Sequence, residues 1–478
     1  MTRPNILFAI ADDASHMSAY GHRFVNTPNF DWVAKEGVLF NNSFTTNPKC
    51  APSRASILTG MHTWQLEDAC THYNVFPNKF PLYPDLLEDC GYFIGYTGKG
   101  WGPGDWKRNG LKRNPAGHAF SDKKLTPPEY TKISDNDYAA NFEDFLSQRP
   151  EGQPFYFWYG GHEPHRHYVD GEGTRNGKRL EDVDVPAYLP DDDVVKSDLC
   201  DYAYEVDWFD MHLGRMIKKL EEIDELDNTM IVVTSDNGAP FPRIKGQMYE
   251  QDFNLPLAIC WTGKAKGGRV VEDLVSFIDF APTFLEAAGA KTPEAWPGTS
   301  LMDILLSEKD KLVNPARNRA YMGRERHDMG GQDDKGYPVR CVRTPQYLYI
   351  RNFAPDRWPA GDPETWYGNC DGGPTKKFIL HQHAEGENKY YNLAFARRPE
   401  EELYDITVDP ECMNNLSYKE EYKTTKEELW TDLKNKLEQT NDPRIFGNGD
   451  VFDTYEYVGD APHSWKKHLQ GTWRKQNY

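Results

Sequence analysis

Residues 4–13 read PNILFAIADD, a continuous apolar run that ends abruptly in two aspartates. A short run that is apolar at every position predicts a strand buried on both faces of a sheet. Comparable runs recur with helical patterns between them; the strand candidates are 6–11, 155–160, 230–234 and 257–261, and the helix candidates are 83–89, 141–146 and 203–226. Strands that alternate with helices in this way predict an α/β domain whose sheet is covered by helices on both faces.

The chain of 478 residues is longer than one hydrophobic core usually serves, which favours a large domain with a smaller one beside it. The pattern changes near residue 335. Residues 339–353, VRCVRTPQYLYIRNF, predict two β-strands about a turn, and a late helix is expected at 426–437. We therefore predict domains at 1–335 and 336–478, the second being a small α+β subdomain with an antiparallel sheet.

Composition and charge exclude several classes of protein. Hydrophobic residues make up 38% of the chain, which is typical of a folded protein. A net charge of −19 argues against nonspecific binding to nucleic acid or to membrane surfaces. No apolar run reaches the roughly 18 residues that a membrane span needs. The chain opens almost directly on the first strand, so we expect either a cytosolic protein or one whose leader has been removed.

Polar residues follow three of the predicted strands at their carboxyl ends. They are Asp12 and Asp13, His162 and His165, and Asp236 and Asn237. Because ligands of open α/β sheets bind at these strand ends, we expect one shared site. The Asp12–Asp13 pair alone would more often be a turn, and Asp236–Asn237 could likewise be only a turn. Together, the three carboxylates and one amide oxygen form a sulfur-free set that suits Ca²⁺, or Mg²⁺, better than zinc.

Residues 161–167, GHEPHRH, contain three histidines, for which a zinc site, a polar surface loop and a catalytic role are the alternatives. A structural zinc site is disfavoured because the segment follows a strand and has no thiolate pair nearby. A histidine at a strand end can instead donate a proton or a hydrogen bond to an anionic substrate.

Cys50 lies in KCAPSRASILTG, residues 49–60, just ahead of a predicted helix that begins near Pro52. The helix N-terminus and Arg54 favour an anion there, which would suit a thiolate nucleophile. A buried structural cysteine is the commonest fate of a lone cysteine. The eight cysteines contain no C-x-x-C pair, so a zinc finger is disfavoured and one or two disulfides stay open.

These segments resemble the type I sulfatases, and the resemblance covers most of the chain. The family signature, C-x-P-S-R followed by a short helix and T-G, stands here as residues 50–54 and 59–60. PNILFAIADD, TGKG at 97–100, HEPHR and TSDNGAPFP also match. HEPHR and TSDNGAPFP, with YPVRCVR and NDPR, are most similar to the sulfamidase (heparan N-sulfatase) branch and its bacterial polysaccharide-sulfatase relatives.

The resemblance implies an alkaline-phosphatase-like fold with a mixed, mostly parallel sheet, and a catalytic domain at 1–335. It implies that Cys50 is oxidised to Cα-formylglycine by a maturation enzyme. By this resemblance, one hydroxyl of the hydrated aldehyde would attack sulfur and expel the sugar oxygen or nitrogen, and the second would then lose its proton as the aldehyde re-forms and sulfate leaves. Residues matching the calcium ligands are Asp12, Asp13, Cys50, Asp236 and Asn237.

The resemblance also assigns the remaining catalytic residues. Arg54, Lys99 and Lys245 match the cations that surround the nucleophile and the sulfate oxygens. His165 matches the histidine that contacts the sulfate, and is the best candidate for the general acid.

One position departs from the family pattern. Members commonly carry a histidine two residues after the equivalent of Lys99, but this chain has Trp101. Either the base function has moved, to His118 or His62, or the alignment slips locally.

The substrate is less defined than the reaction. GRERHD, residues 323–328, offers Arg324, Arg326 and His327, which would bind anionic sugar groups or form a solvated charged loop. We expect an exo-acting O-sulfatase of a polysaccharide-degradation pathway, periplasmic or secreted, with a cytoplasmic location left open. The alternatives are a heparan N-sulfatase, a phosphatase or phosphonate hydrolase of the same superfamily, and a silent saccharide-binding module with unmodified Cys50.

Overall fold

A computed structural model describes residues 3–474 of the chain. The strands are β1 Asn5–Ala11, β2 Val38–Phe40, β3 Ser43–Phe44, β4 Asn74–Val75, β5 Phe93–Gly98, β6 Gly104–Asp105, β7 Phe155–Gly160, β8 Thr229–Ser235, β9 Leu257–Cys260, β10 Arg269–Val271, β11 Val275–Ser276, β12 Ala320–Arg324, β13 Val339–Arg343, β14 Tyr347–Asn352 and β15 Glu401–Asp405. The helices are α1 Pro28–Glu36, α2 Cys50–Thr59, α3 Tyr83–Asp89, α4 Tyr138–Gln148, α5 Glu172–Arg175, α6 Asp193–Glu222, α7 Glu250–Phe253, α8 Phe280–Ala287, α9 Met302–Leu305, α10 Pro374–Ala384, α11 Lys389–Ala394, α12 Lys423–Gln439, α13 Val451–Thr454 and α14 Trp465–Leu469.

The central sheet has the strand order β10-β2-β9-β8-β1-β7-β5. Strands β8, β1, β7 and β5 run parallel to one another, whereas β9 is antiparallel to both of its neighbours. The predicted mixed, mostly parallel sheet of the alkaline-phosphatase-like type is therefore confirmed.

Alternate residues of β1 face two separate cores. Leu7 and Ala9 pack into a core with residues of α1, α4 and α6, and Ile6 and Phe8 pack into another with residues of α2, α3 and α8. This is the period of two that a strand imposes on its side chains. All seven residues of β1 are buried, because helices cover both faces of the sheet. The predicted two-sided cover is thus confirmed.

The second sheet is antiparallel, in the order β12-β13-β14-β15. On one face, Cys341 and Ile350 join a cluster with Phe44 and Phe253 of the larger part. Residues of its other face cluster with Leu429, Leu433 and Leu437 of α12. The predicted small antiparallel sheet is confirmed, and its first strand, β12, precedes residue 336. The division at residue 335 stays a prediction.

Four helices, α2, α4, α6 and α12, begin earlier than their sequence patterns indicated. α2 begins at Cys50 rather than near Pro52, because proline fits anywhere in the first turn, where no backbone N–H is needed. α6 begins at Asp193, where the Asp192 carboxylate accepts a hydrogen bond from the Val194 N–H. Among residues 3–474, none of the helices combines the length and the apolar character that crossing a membrane requires.

Candidate active site

The ends of β8, β1 and β7 lie side by side and bring the predicted polar clusters together. Asp12 and Asp13 follow β1, and Asp236 follows β8. Successive side chains of a strand point to opposite faces, but Asp13 has a left-handed backbone with φ of 74°. The turn at Asp13 lets both carboxylates face the same site, since one ligand atom each from Asp12, Asp13, Cys50 and Asp236 lies within 4.8 Å of the others.

Cys50 lies at the first position of α2, with its sulfur against these carboxylates. Its Sγ is 3.4 Å from Asp12 Oδ1 and 3.9 Å from Asp13 Oδ1, and the residue is only 1% exposed. Burial, followed by the charge of Asp12, raises the pKa of the Cys50 thiol well above its usual value. All eight cysteines are free thiols, so the disulfides that the sequence left open are not formed. A neutral, enclosed thiol does not fit an ordinary thiolate nucleophile.

Each carboxylate of the site contacts a lysine or an arginine, and Asp12 also lies 3.9 Å from Arg54 Nη2. Lys99 Nζ is 2.5 Å from Asp12 Oδ2. Lys245 Nζ is 2.6 Å from Asp13 Oδ2. Arg54 Nε donates to Asp236 Oδ2 at 2.7 Å. The three predicted cations therefore lie within contact of the three predicted carboxylates.

The pKa shifts follow from this pairing. Burial would raise the pKa of Asp12, but the charges of Lys99, His165 and Arg54 together hold it well below its usual range. Burial raises the pKa of Asp236 to about 6, despite the guanidinium of Arg54. Burial alone would lower the pKa of Lys99, but the charge of Asp12 outweighs burial and raises that pKa above its usual value. A cationic Lys99 therefore stands beside residue 50.

Lys99 is positioned by the close approach of β5 and β7. A Cβ at Gly160 would lie 1.8 Å from the Lys99 carbonyl oxygen, so only glycine fits there. The same carbonyl accepts hydrogen bonds from Arg54 Nη1 at 2.8 Å and from Trp158 Nε1 at 3.0 Å. These contacts fix the backbone of Lys99 relative to α2.

The donor set fits a hard divalent cation. Asn237 Nδ2 donates to Asp13 Oδ1 at 2.7 Å, whereas the buried Asn237 Oδ1 has no hydrogen-bond partner among the described residues. An unpartnered buried carbonyl oxygen beside three carboxylates is the arrangement that Ca²⁺ or Mg²⁺ ligands show. The residues present therefore fit the cation that the sulfatase resemblance implies.

His165 and His162 lie on the wall above this cluster. His165 Nδ1 donates to the Arg166 carbonyl at 2.6 Å, which leaves Nε2, 4.0 Å from Asp13 Oδ2, to act on a ligand. Burial lowers the pKa of His162 to about 4. His167, the third histidine of the motif, lines the same cavity.

A cavity of about 670 Å³ opens above the cluster, a size typical of small-molecule sites. Its walls include four residues that the sequence analysis missed: Lys49, His72, Asp328 and Asp371. Asp328 gathers three donors, since its carboxylate meets Lys49 Nζ at 2.8 Å, His72 Nδ1 at 2.8 Å and Tyr457 Oη at 3.2 Å. Lys49 adjoins Cys50 in sequence, but no strand-end signal marks the other three.

The predicted substrate residues Arg324, Arg326 and His327 lie elsewhere. All three are buried by at least 98%, so they do not form the solvated charged loop that was one of the two alternatives. Arg324 donates to the carbonyls of Gly246 and Pro359, and Arg326 to that of Tyr455. None of the three lines the cavity. Their role as substrate contacts stays a prediction, and the polar-loop interpretation was wrong.

The position of the expected family histidine is filled by an aromatic side chain. Trp101 is buried, packs edge-on against Phe76, and donates from Nε1 to the Ala51 carbonyl at 3.2 Å. His118 lies at the surface, 3.2 Å from Glu88, and His62 is stacked on Trp64. The structure brings neither proposed substitute base to the cavity.

The fold is of the alkaline-phosphatase-like type that solved sulfatases share. The Sulfatase family model matches residues 4–290, and the model described as N-sulphoglucosamine sulphohydrolase, C-terminal, matches residues 244–362. The chain therefore belongs to the sulfatase family, whose members hydrolyse sulfate esters.

Three curated relatives illustrate the range of this similarity. An ulvan-active sulfatase of Formosa agariphila is 26% identical over 90% of this chain and 74% of its own length. An N-acetylglucosamine-6-O-sulfatase of Bacteroides thetaiotaomicron is 26% identical over 96% of this chain and 90% of its own length. The N-sulphoglucosamine sulphohydrolase of Homo sapiens is 27% identical over 92% of this chain and 91% of its own length.

Solved structures share the fold at lower identity. BT4656, in complex with its substrate D-glucosamine-2-N,6-O-disulfate, superposes with a TM-score of 0.68 at 24% identity, over 92% of this chain and 98% of its own. The phosphonate monoester hydrolase of Agrobacterium radiobacter superposes with a TM-score of 0.66 at 18% identity, over 92% of this chain and 96% of its own. The fold alone therefore does not separate sulfate from phosphonate chemistry.

Proposed function

We propose that this protein releases sulfate from the end of an O-sulfated saccharide, with formylglycine made from Cys50 and a bound Ca²⁺. The observation that carries the proposal is the contact of Cys50 Sγ with Asp12, at the base of a cavity that also exposes Lys99 and His165. An almost fully buried residue 50 supports exo action, since only a chain end reaches the base of such a cavity.

Asp12, Asp13, Asp236 and Asn237 would hold the cation. When bound, it would polarise the sulfate oxygens and supply positive charge in a cluster whose own ligands are anionic carboxylates. Mg²⁺ is the alternative ion for the same oxygen donors. The formylglycine at position 50 would supply a covalent acceptor for the sulfuryl group that releases it again without a second nucleophile.

The residues of the chain contribute position and charge. Lys99 and Lys245 lie on opposite carboxylates of the cluster, so their ammonium groups flank the place where sulfate would lie. Arg54 holds Asp236 and the Lys99 carbonyl together, and so fixes the cluster to α2. Charge that develops on the sulfate oxygens would meet donors that are already oriented.

His165 would protonate the leaving oxygen. Its Nδ1 is committed to the Arg166 carbonyl, so a second proton on the ring must lie on Nε2, the atom that faces the cluster. Proton donation from Nε2 is needed for a sugar alkoxide, which is a poor leaving group.

Two alternatives remain. The match of residues 244–362 to the N-sulphoglucosamine sulphohydrolase model favours an N-sulfatase as the second candidate. A phosphatase or phosphonate hydrolase would use the same metal cluster, and the shared fold with phosphonate monoester hydrolases keeps it open. We further propose a periplasmic or secreted location, a saccharide fragment as partner, and a maturation enzyme that acts on Cys50.

The test uses chain coexpressed with a formylglycine-generating enzyme. Trypsin releases residues 50–54, and their mass should fall by about 18 Da relative to the cysteine form. Ion chromatography should then detect sulfate from O-sulfated monosaccharides more readily than from N-sulfoglucosamine, with 4-nitrophenyl phosphate hydrolysed far more slowly than 4-nitrophenyl sulfate. Cys50→Ala is the matched inactive control. Unmodified Cys50 together with no sulfate release would support the silent binding module instead.

A further inference from the structure

Asp371 is a largely enclosed but not fully buried carboxylate at the cavity wall that the reaction described above does not use. It follows Cys370 in the loop before α10, and its side chain is 15% exposed. Lys245 Nζ, 3.0 Å from Oδ2, is its single side-chain partner among residues 3–474. A largely enclosed carboxylate normally accepts several hydrogen bonds, so Asp371 retains acceptor capacity on the cavity side.

Asp371 is also held in its charged form. Burial would raise the pKa of its carboxyl group, but Lys245, Lys49 and His165 outweigh burial and hold the pKa well below its usual range. Lys245 joins Asp371 to Asp13, so Asp371 stands one ammonium group away from the cluster around Cys50. A ligand whose sulfate reaches Cys50 therefore carries its adjacent sugar atoms past Asp371.

Most cations that line this cavity are already neutralised. Lys49 pairs with Asp328, Lys99 with Asp12, and Arg166 with Asp198. Lys132 is exposed at the mouth of the cavity. The inner wall thus offers carboxylate oxygens and occupied ammonium groups, which suit hydroxyl donors better than a second anion.

We propose that Asp371 accepts a hydrogen bond from the hydroxyl group next to the sulfate ester, and so selects sugars in which that neighbouring group is uncharged. This inference rests on the proposed function. A neighbouring carboxylate or second sulfate would meet the negative charge of Asp371, because Lys245 beside it is already shared with Asp13. The substrate class is therefore a sugar residue with one sulfate and a free adjacent hydroxyl group.

The experiment compares two variants with two kinds of substrate. The monosulfated sugar that the wild type hydrolyses fastest is tested beside its analogues that lack one hydroxyl group each, and 4-nitrophenyl sulfate serves as a substrate with no sugar. For the wild type, loss of the adjacent hydroxyl should lower kcat/KM by roughly 10- to 100-fold. Asp371→Ala should lower kcat/KM for the parent sugar by the same factor. It should not lower kcat/KM further for the analogue that lacks the adjacent hydroxyl, and kcat/KM for 4-nitrophenyl sulfate should change by less than about threefold. Asp356→Asn, at an exposed carboxylate that does not line the cavity, should leave every rate unchanged.

Asp371→Asn keeps one acceptor oxygen and should recover part of the rate, which separates a hydrogen-bonding role from a folding defect. Isothermal titration with Cys50→Ala, with and without Asp371→Asn, measures the same preference without turnover. Equal losses on the sugar and on 4-nitrophenyl sulfate would overturn the inference, because Asp371 would then act only through Lys245. The inference would also be overturned if the loss from Asp371→Ala and the loss from removing the adjacent hydroxyl added together when the variant was tested on the analogue. If matured wild type released sulfate from no substrate, the proposed function itself would fail, and this inference with it.

Discussion

The guanidinium of Arg166 and the carboxylate of Asp198 meet in two parallel hydrogen bonds, each 2.8 Å long. Both side chains are almost fully buried, at 4% and 1% exposure. Asp198 lies on α6 and also accepts from Thr375 at the start of α10, while Arg166 Nε donates to the Pro240 carbonyl. This pair therefore fixes the segment that carries His165 to two helices and to the loop after β8.

Asp198→Ala should destabilise the protein by about 3–5 kcal/mol, because it leaves Arg166 charged, buried and unpaired. Urea unfolding followed by tryptophan fluorescence measures the change. The matched control is Asp184→Ala, which removes the exposed pair with Arg23 and should leave stability nearly unchanged. Similar losses for the two variants would contradict the role given to the buried pair.

His165→Ala should affect substrates according to their leaving groups. With a sugar sulfate, loss of the proton donor should lower kcat/KM by about 10²- to 10⁴-fold. With 4-nitrophenyl sulfate the loss should be much smaller, since nitrophenolate leaves without a proton. His118→Ala, at the surface beside Glu88, should change neither rate. A loss that is the same for both substrates would count against His165 as the general acid.

Ca²⁺ should raise the melting temperature of chelator-treated protein, and more strongly than Mg²⁺ does. A ligand that binds only the folded chain stabilises it by about 2.7 kcal/mol at a concentration of 100 Kd. Asn237→Ala removes the unpartnered carbonyl oxygen and should abolish most of the shift. Asp191→Asn, at an exposed carboxylate, should keep the full shift. A Ca²⁺ response unchanged in Asn237→Ala would place the ion elsewhere.

Glu172→Gln should flatten the dependence of stability on pH. Burial, followed by Asp201, raises the pKa of Glu172 to about 7. Glu172 therefore binds a proton more tightly in the folded state than in the unfolded state, so the stability that it contributes is fully present below about pH 4.5 and is lost as pH rises through about 7.

Over that range the wild type should lose about 1–3 kcal/mol relative to Glu172→Gln, which has no proton to release. Denaturant unfolding at pH 5, 6, 7 and 8 gives both curves. Glu421→Gln, on the exposed surface, should follow the wild type. Parallel curves for wild type and Glu172→Gln would show that Glu172 titrates normally.

The parts of the site that adjoin regular structure could be predicted from sequence. Asp12 and Asp236 follow fully apolar runs, and parallel strands bring their carboxyl ends to one edge of the sheet. Cys50 and Arg54 lie one helical turn apart in a family motif. For these residues, local pattern and fold class determine the placement.

Asp371 and Asp328 could not be predicted, because long loops bring them to the cavity and no periodic pattern marks them. The error over Arg324 has a related cause. A guanidinium can be buried where carbonyls accept its hydrogen bonds, as those of Gly246 and Pro359 do for Arg324, although burial still lowers the pKa of Arg324 to about 10. Charge in a sequence indicates exposure, but the acceptors that offset burial come from segments far away in the chain.

The enclosure of Cys50 dictates an order of events during biosynthesis. In the finished fold its sulfur lies beneath the cavity, with the carboxylates of Asp12 and Asp13 against it. Under the proposed chemistry a converting enzyme would have to reach this sulfur, which is only 1% exposed once α2 has packed. Oxidation must therefore happen while the nascent chain is still open, and molecules that close too early would be trapped as permanently silent copies.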